Sequence, residues 1–199
     1  MTPAQDAYPA TLTFDPPDRI ANWRPLVNWL LGIPHLLILS ALRSVSQVLA
    51  VVSWFAVVFT GRLPEGLANL QVMYLRYSIR TTTFVGFLRE EYPPFAFEPT
   101  PNDPGDDPRV RVDVIPRLED RNRVTTGFRL ILVIPHAVCL AVLGIAQFVI
   151  ALIALFAVLF TGRWPAGLRD FVLGVTRWWL RVEAYLVLLT DEYPPFTLA

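Results

Sequence analysis

Lysine is missing from this chain, cysteine occurs once, and neither sign of charge is in surplus. The 17 basic residues are balanced by 17 acidic ones. That balance removes the basic footprint which nucleic-acid binding requires, so no nucleic-acid partner is expected. A single thiol, Cys139, excludes an intrachain disulfide, and its apolar neighbours predict a small buried hydrophobe. The phrases of common catalytic sites are lacking as well: there is no G-x-S-x-G elbow, phosphate-cradling glycine loop, H-E-x-x-H or Cys-x-x-Cys. The chain is therefore expected to be no enzyme and to use no cofactor and no metal. Met1 to Asp18 is polar and Pro-containing without a basic n-region, and the first apolar run has no A-x-A exit, so no cleavable signal peptide is expected.

Charge is also missing from the middle of each half. Leu130 to Thr161 holds no charged residue, and Pro25 to Thr60 holds only Arg43. A bilayer core ~30 Å thick needs ~20 apolar helical residues, so both runs are long enough to cross one. With 54% hydrophobic residues overall, the chain is expected to be an integral membrane protein with the lipid bilayer as its first partner.

The chain is a tandem duplication. Phe59-Thr60-Gly61-Arg62 returns as Phe160-Thr161-Gly162-Arg163, and Glu91-Tyr92-Pro93-Pro94-Phe95 returns as Glu192-Tyr193-Pro194-Pro195-Phe196. Ile33-Pro34-His35 recurs as Ile134-Pro135-His136 at the same offset of 101 residues. Aligned without gaps, 33–98 and 134–199 agree at about 25 of 66 positions, far above chance. The division expected is a first repeat over 1–98, a Pro/Asp-rich linker over 99–108, and a second repeat over 109–199.

Each repeat reads as four parts. Thr11-Leu12-Thr13-Phe14 and Val110-Arg111-Val112-Asp113-Val114 alternate with period two and predict short strands. The apolar runs follow, with Pro34 and Pro135 kinking or starting the helix, so that the spans proper cover about His35–Phe59 and His136–Phe160. Thr-Gly-Arg-x-Pro then ends each helix through a left-handed glycine. Return helices over about Pro64–Arg89 and Pro165–Thr190 open on proline and are read as second spans, with an interfacial position as the competing reading. The expected fold class is an all-α membrane protein: two tandem transmembrane helical hairpins, four spans in all, with short cytoplasmic β-strands flanking each hairpin. The tails Phe95-Ala96-Phe97 and Phe196-Thr197-Leu198 are expected to pair with those strands.

Two crossings per repeat bring both termini and the linker to one side. That side carries Arg19, Arg24, Arg89, Arg109, Arg111, Arg117, Arg121 and Arg123 against Arg62, Arg163 and Arg169 at the turns, so termini and linker are expected in the cytoplasm, at the inner (plasma) membrane. Two equally directed halves would share a pseudo-two-fold axis along the membrane normal. The linker Glu98–Pro108 is expected to be extended and solvated.

Seven residues stand out. Arg43 lies in mid-span where the second repeat has Gly144, and it either seeks a partner or sits at a polar kink with Ser40, Ser44, Ser46 and Gln47; both readings stay open. Arg76/Arg80 and Arg177/Arg181, each pair four apart on one helix face, can grip anionic headgroups or fix packing through Glu183, Glu91 or Glu192. His35 and His136 are weak candidates for metal or proton transfer, and the structural role beside proline is preferred. Tyr-Pro-Pro-Phe reads as a helix stop that docks its ring on its own domain, ahead of a polyproline ligand.

These phrases resemble an uncharacterised actinobacterial membrane-protein family, domain of unknown function 4389, in tandem copy. The resemblance rests on Ile134-Pro135-His136, Leu159-Phe160-Thr161-Gly162-Arg163-Trp164-Pro165, Arg177-Trp178 with Arg181, and Asp191-Glu192-Tyr193-Pro194-Pro195-Phe196. The first repeat departs at Leu63, Tyr77-Ser78 and Arg43. The resemblance implies membrane location and architecture with no assigned catalytic residue. Arginine as the sole basic residue fits a GC-rich genome of that lineage. From lineage comes the expectation of a non-enzymatic accessory subunit packed on a larger inner-membrane complex, such as the permease of an Mce-type lipid importer. The alternative is a small stand-alone transporter or channel with its site between the repeats. A lipid enzyme working through His35 and His136 is a third reading.

Overall fold

A computed structural model describes residues 8–199. The polar stretch Met1–Ala7, part of the segment examined for a signal peptide, lies outside the described residues. The order is β1 (Ala10–Phe14), α1 (Arg24–Leu31), α2 (Ile33–Thr60), α3 (Glu65–Val85), β2 (Val110–Val114), α4 (Arg123–Gly127), α5 (Arg129–Leu132), α6 (Ile134–Thr161) and α7 (Ala166–Leu186). The strands and the glycine stops fall where the sequence puts them. Pro34 and Pro135 stand in the first turn of α2 and α6, where the missing N–H costs no hydrogen bond. Gly61 (φ 72°) and Gly162 (φ 67°) close these helices in the left-handed region, each returning its N–H to the helix.

Polarity is distributed inside out. Only His35, Ser46, Ser53 and Val57 are buried in the 28 residues of α2, whereas α3 buries 14 of its 21, including Arg76 and Arg80. The polar return helices are the interior, and the apolar helices are the exterior. Two helices, not four, are long and apolar enough to cross a membrane: Ile33–Thr60 and the continuous stretch Arg129–Thr161. The expectation of four spans is not supported, because α3 and α7 are too polar to count as spans and bury Arg76, Arg80 and Arg181 against protein.

The halves are interleaved. α3 and α7 run antiparallel through the centre: Trp164, at the head of α7, donates from Nε1 to the Phe87 carbonyl beyond the end of α3 at 2.8 Å, and their rings stack at 5.3 Å. β1 pairs antiparallel with β2, Leu12 opposite Val112, and each strand packs on the other half's helix, β1 on α7 and β2 on α3. Their alternating buried faces (Ala10, Leu12, Phe14; Val110, Val112, Val114) need that helical surface, so the strands pair with each other. The tails expected to pair with them form no strand; their rings are engaged elsewhere.

At the ends of the long helices the exchange is reciprocal. Ile20 N–H donates to the Gly162 carbonyl at 2.8 Å and Arg121 N–H to the Gly61 carbonyl at 3.1 Å. Asn22 Nδ2 donates to Leu159 O and Trp54 Nε1 to Thr126 O. The C-terminal end of α2 thus meets the entrance of the second repeat, and that of α6 meets the entrance of the first. The long helices therefore run antiparallel, which corrects the expectation of two equally directed hairpins. Phe87 (φ 45°) and Leu188 (φ 71°) are equivalent in the duplication, and both hold a strained left-handed backbone. The Phe87 carbonyl accepts from Trp164 of the opposite half, and the Leu188 carbonyl accepts from Arg121 Nη1 of its own half.

Candidate functional site

The two histidines occupy twin aromatic boxes. His35 is fully buried, with Nδ1 2.7 Å from the Tyr77 hydroxyl and its ring stacked on Phe95 at 4.2 Å. His136 accepts at Nδ1 from Trp178 Nε1 at 3.1 Å and stacks on Phe196 at 4.0 Å. The tyrosine of each Tyr-Pro-Pro-Phe motif packs on the same imidazole and donates to a carbonyl just before the long helix, Tyr92 to Leu31 and Tyr193 to Leu132. Each motif is thus a clasp that seats rings on the histidine of its own repeat; it is not the helix stop, because α3 ends at Val85 and α7 at Leu186, before the motifs begin. No group of three metal-ligating side chains exists among the described residues.

The arginines mark where the acidic segment goes. Arg80 Nη2 meets Asp103 and Asp106, both at 2.8 Å, and Arg76 Nε lies 3.4 Å from Asp103. Arg89 Nη1 binds both oxygens of Asp107 at 2.6 Å. Asp103 also accepts the N–H of Gly105 and Val112, and Asp107 those of Arg109 and Val110. The segment expected to be a solvated linker is therefore a clamp: the Asp103 and Asp107 side chains are 0% exposed. Three guanidiniums bury only when matched by carboxylates, and this segment supplies three. Glu183, Glu91 and Glu192 are not the partners of Arg76 and Arg80.

The second repeat solves the same problem differently. Arg177 donates to Leu12 O at 3.3 Å, and Arg181 holds the carbonyls of Thr197 and Ala199 in the tail. Asp191 binds Arg121 and Arg129 at 2.7 Å each and accepts the N–H of Asn122. Burial pushes the Asp191 carboxyl up, but these donors outweigh it and hold it below its ordinary value. In the equivalent place, Glu90 accepts the N–H of Ala21. Asn28 donates to Phe84 O and Arg89 O just as Arg129 donates to Tyr185 O and Thr190 O.

One charged constellation remains unspent. On the face of α3 and α7 away from the sheet, a groove runs between α2 and α6. One section, about 470 Å³, is lined by Leu36, Leu39, Ser40, Arg43, Tyr74, Ser78, Thr82, Trp179 and Glu183. The adjoining section, about 350 Å³, shares Ser78, Thr82 and Trp179 and continues along Leu140, Ala151, Val172 and Val175. Neither Arg43 nor Glu183 makes a hydrogen bond or ion pair among the described residues, although both line the same section. Burial raises the Glu183 carboxyl, while Arg43 pulls it back. Helix α2 is continuous through Ser40–Gln47, where Ser44 Oγ donates back to the Ser40 carbonyl at 3.2 Å.

The profile of one family, described only as a domain of unknown function (DUF4389), matches residues 22–96 and again 123–197. The chain belongs to that family. It carries two copies of the family's domain in tandem, and together they cover most of its length. No curated protein and no solved structure matches the chain.

The twin clasps lie inside both copies of the family domain, whereas the Asp103–Asp107 clamp lies between them. Sequence reasoning picked Arg76, Arg80, Arg177 and Arg181 for their shared helix face, and all four hold the protein's own tails, strands and linker. Arg89, Arg121, Arg129, Asp103, Asp107 and Asp191 were missed as an interior network. The available signal was that the linker's three aspartates, Asp103, Asp106 and Asp107, match in number the three arginines Arg76, Arg80 and Arg89 that precede it. Cys139, expected to be buried, is half-exposed on α6.

Proposed function

We propose that the protein is a non-enzymatic, membrane-embedded accessory subunit whose α2 and α6 lie side by side in one face of the inner membrane and dock on a larger complex, one that moves lipid. The observation that supports this reading is the inside-out polarity. In the most apolar window of each long helix only 11% of the residues are buried, so neither is a core helix in search of a domain. Such an apolar surface belongs against lipid or another membrane protein.

Orientation follows from the sheet. Arg76, at the midpoint of α3, meets Asp103, which holds Val112 of β2. On the outer face of that strand, Arg111 and Asp113 are 58% and 34% exposed. Upright crossing of α2, about 42 Å long, would carry this pair to mid-bilayer at about 2.5–3.5 kcal/mol per charge on insertion scales. Lying in the plane, α2 and α6 bury their apolar faces and leave the sheet in water, with the pseudo-two-fold axis along the normal. The anionic cytoplasmic leaflet suits Arg19, Arg24, Arg62, Arg123 and Arg163 near the helix ends.

Two measurements test this. In a Cys139→Ala background, Glu98→Cys and Arg62→Cys, near opposite ends of α2, should react with an impermeant maleimide from the same side of sealed vesicles. Reaction from opposite sides would overturn the in-plane reading. Purification in mild detergent should retain a stoichiometric membrane partner; a lone chain would remove the accessory role.

A further inference from the structure

We propose that the groove between α2 and α6 binds one zwitterionic phospholipid of the phosphoethanolamine type, its phosphate on Arg43 and its ammonium on Glu183. The inference rests on the membrane reading above and deepens it.

The duplication carries the argument. The two sections of the groove are related by the internal repeat, yet charge occurs in only one. Arg43 corresponds to Gly144, and Glu183 corresponds to Thr82. The result is a cavity with a polar end and an apolar end: Arg43 and Glu183 with Ser40, Ser78 and Thr82 at one, Leu140, Ala151 and Val172 at the other. Trp179 lines both.

Every strongly buried charge among the described residues is held by ion pairs or hydrogen bonds within the fold, whereas exposed Arg43 and half-buried Glu183 share a section of about 470 Å³ without touching. A guanidinium fork suits phosphate oxygens, and a half-buried carboxylate without a partner suits an ammonium donor. A headgroup bearing both charges satisfies both walls at once, whereas an anionic headgroup would set its charge against Glu183. The groove opens on the face flanked by the apolar helices. A lipid of the contacting leaflet therefore enters headgroup first, with its chains still in the membrane.

Native mass spectrometry of the full chain from mild detergent, after exchange into a mixture of phosphatidylethanolamine, phosphatidylglycerol and phosphatidylcholine, tests the assignment. One phosphatidylethanolamine should be retained per chain. Retention should weaken at least about tenfold, about 1.4 kcal/mol, in Arg43→Gln and in Glu183→Gln. Arg111→Gln, on the sheet, should retain the lipid as the wild type does. Soluble glycerophosphoethanolamine at equal concentration should not displace it. Equal retention of phosphatidylglycerol in the wild type and Glu183→Gln would reduce the site to an anion contact and overturn the proposal. So would unchanged retention in both groove variants, or displacement by the soluble headgroup. A lower melting temperature in both variants without bound lipid would instead reveal an internal Arg43–Glu183 ion pair and also overturn it. Vesicle flotation of the same variants reads membrane embedding separately, so loss of lipid with flotation intact leaves the membrane reading standing.

Discussion

Replacing Asp107 by asparagine keeps the shape of a side chain while removing the charge that lets Arg89 stay buried. Asp107 accepts Arg89 Nη1 on both oxygens at 2.6 Å, together with the N–H of Arg109 at 3.0 Å and of Val110 at 2.9 Å. Both side chains of the pair are 0% exposed. Burial already pushes the Arg89 guanidinium down in pKa, and the Asp107 bond opposes that shift. In Asp107→Asn, the guanidinium is left in the interior facing an amide that must turn its NH2 toward Arg89 Nη1, which bonds both oxygens of Asp107. Breaking one partner of a buried pair costs about 3–5 kcal/mol. For a chain of this size, about 1 kcal/mol moves the melting temperature by about 2–4 °C, so the midpoint should drop by about 6–20 °C. The control is Arg111→Gln, which breaks an exposed pair and should cost no more than about 1 kcal/mol. Thermal unfolding followed by circular dichroism in detergent micelles measures both. If Asp107→Asn melts no lower than Arg111→Gln, the acidic segment is not a clamp and the reasoning fails.

Acid should loosen the second repeat through Asp191. Its folded pKa is depressed, so the stabilisation is present above the unfolded value near 3.9 and is lost as pH falls through the folded value. Melting temperature against pH should fall in that window, and Asp191→Asn should flatten this part of the curve; an unchanged slope argues against the network. The two helix stops should differ. Gly61→Ala and Gly162→Ala both carry the left-handed penalty of about 1–2 kcal/mol. A Cβ at Gly61 meets the movable end of Arg123 at 3.1 Å, but at Gly162 it meets the Ile20 carbonyl at 3.0 Å. Gly162→Ala should therefore be the more destabilising in denaturant titration, and equal losses would contradict the exchanged contact between the halves.

The sequence by itself determined the elements that depend on neighbours along the chain. Period-two alternation made β1 and β2, proline and left-handed glycine set the ends of α2 and α6, and the 101-residue offset meant that the strand and helices of one half would recur in the other. Residue type also marked the two long helices as long and apolar enough to cross a membrane. Tertiary structure alone decided what touches what. Whether Arg76 and Arg80 point at lipid or at Asp103 depends on where a segment some 25 residues away returns, and local pattern carries no such information. The antiparallel exchange of the halves was equally invisible, because two identical hairpins can be related in several ways with the same local sequence. Charge drew α3 and α7 inward: arginines that are costly in lipid are stabilised by carboxylates of the linker and carbonyls of the tail and of β1, and only the folded chain brings those together.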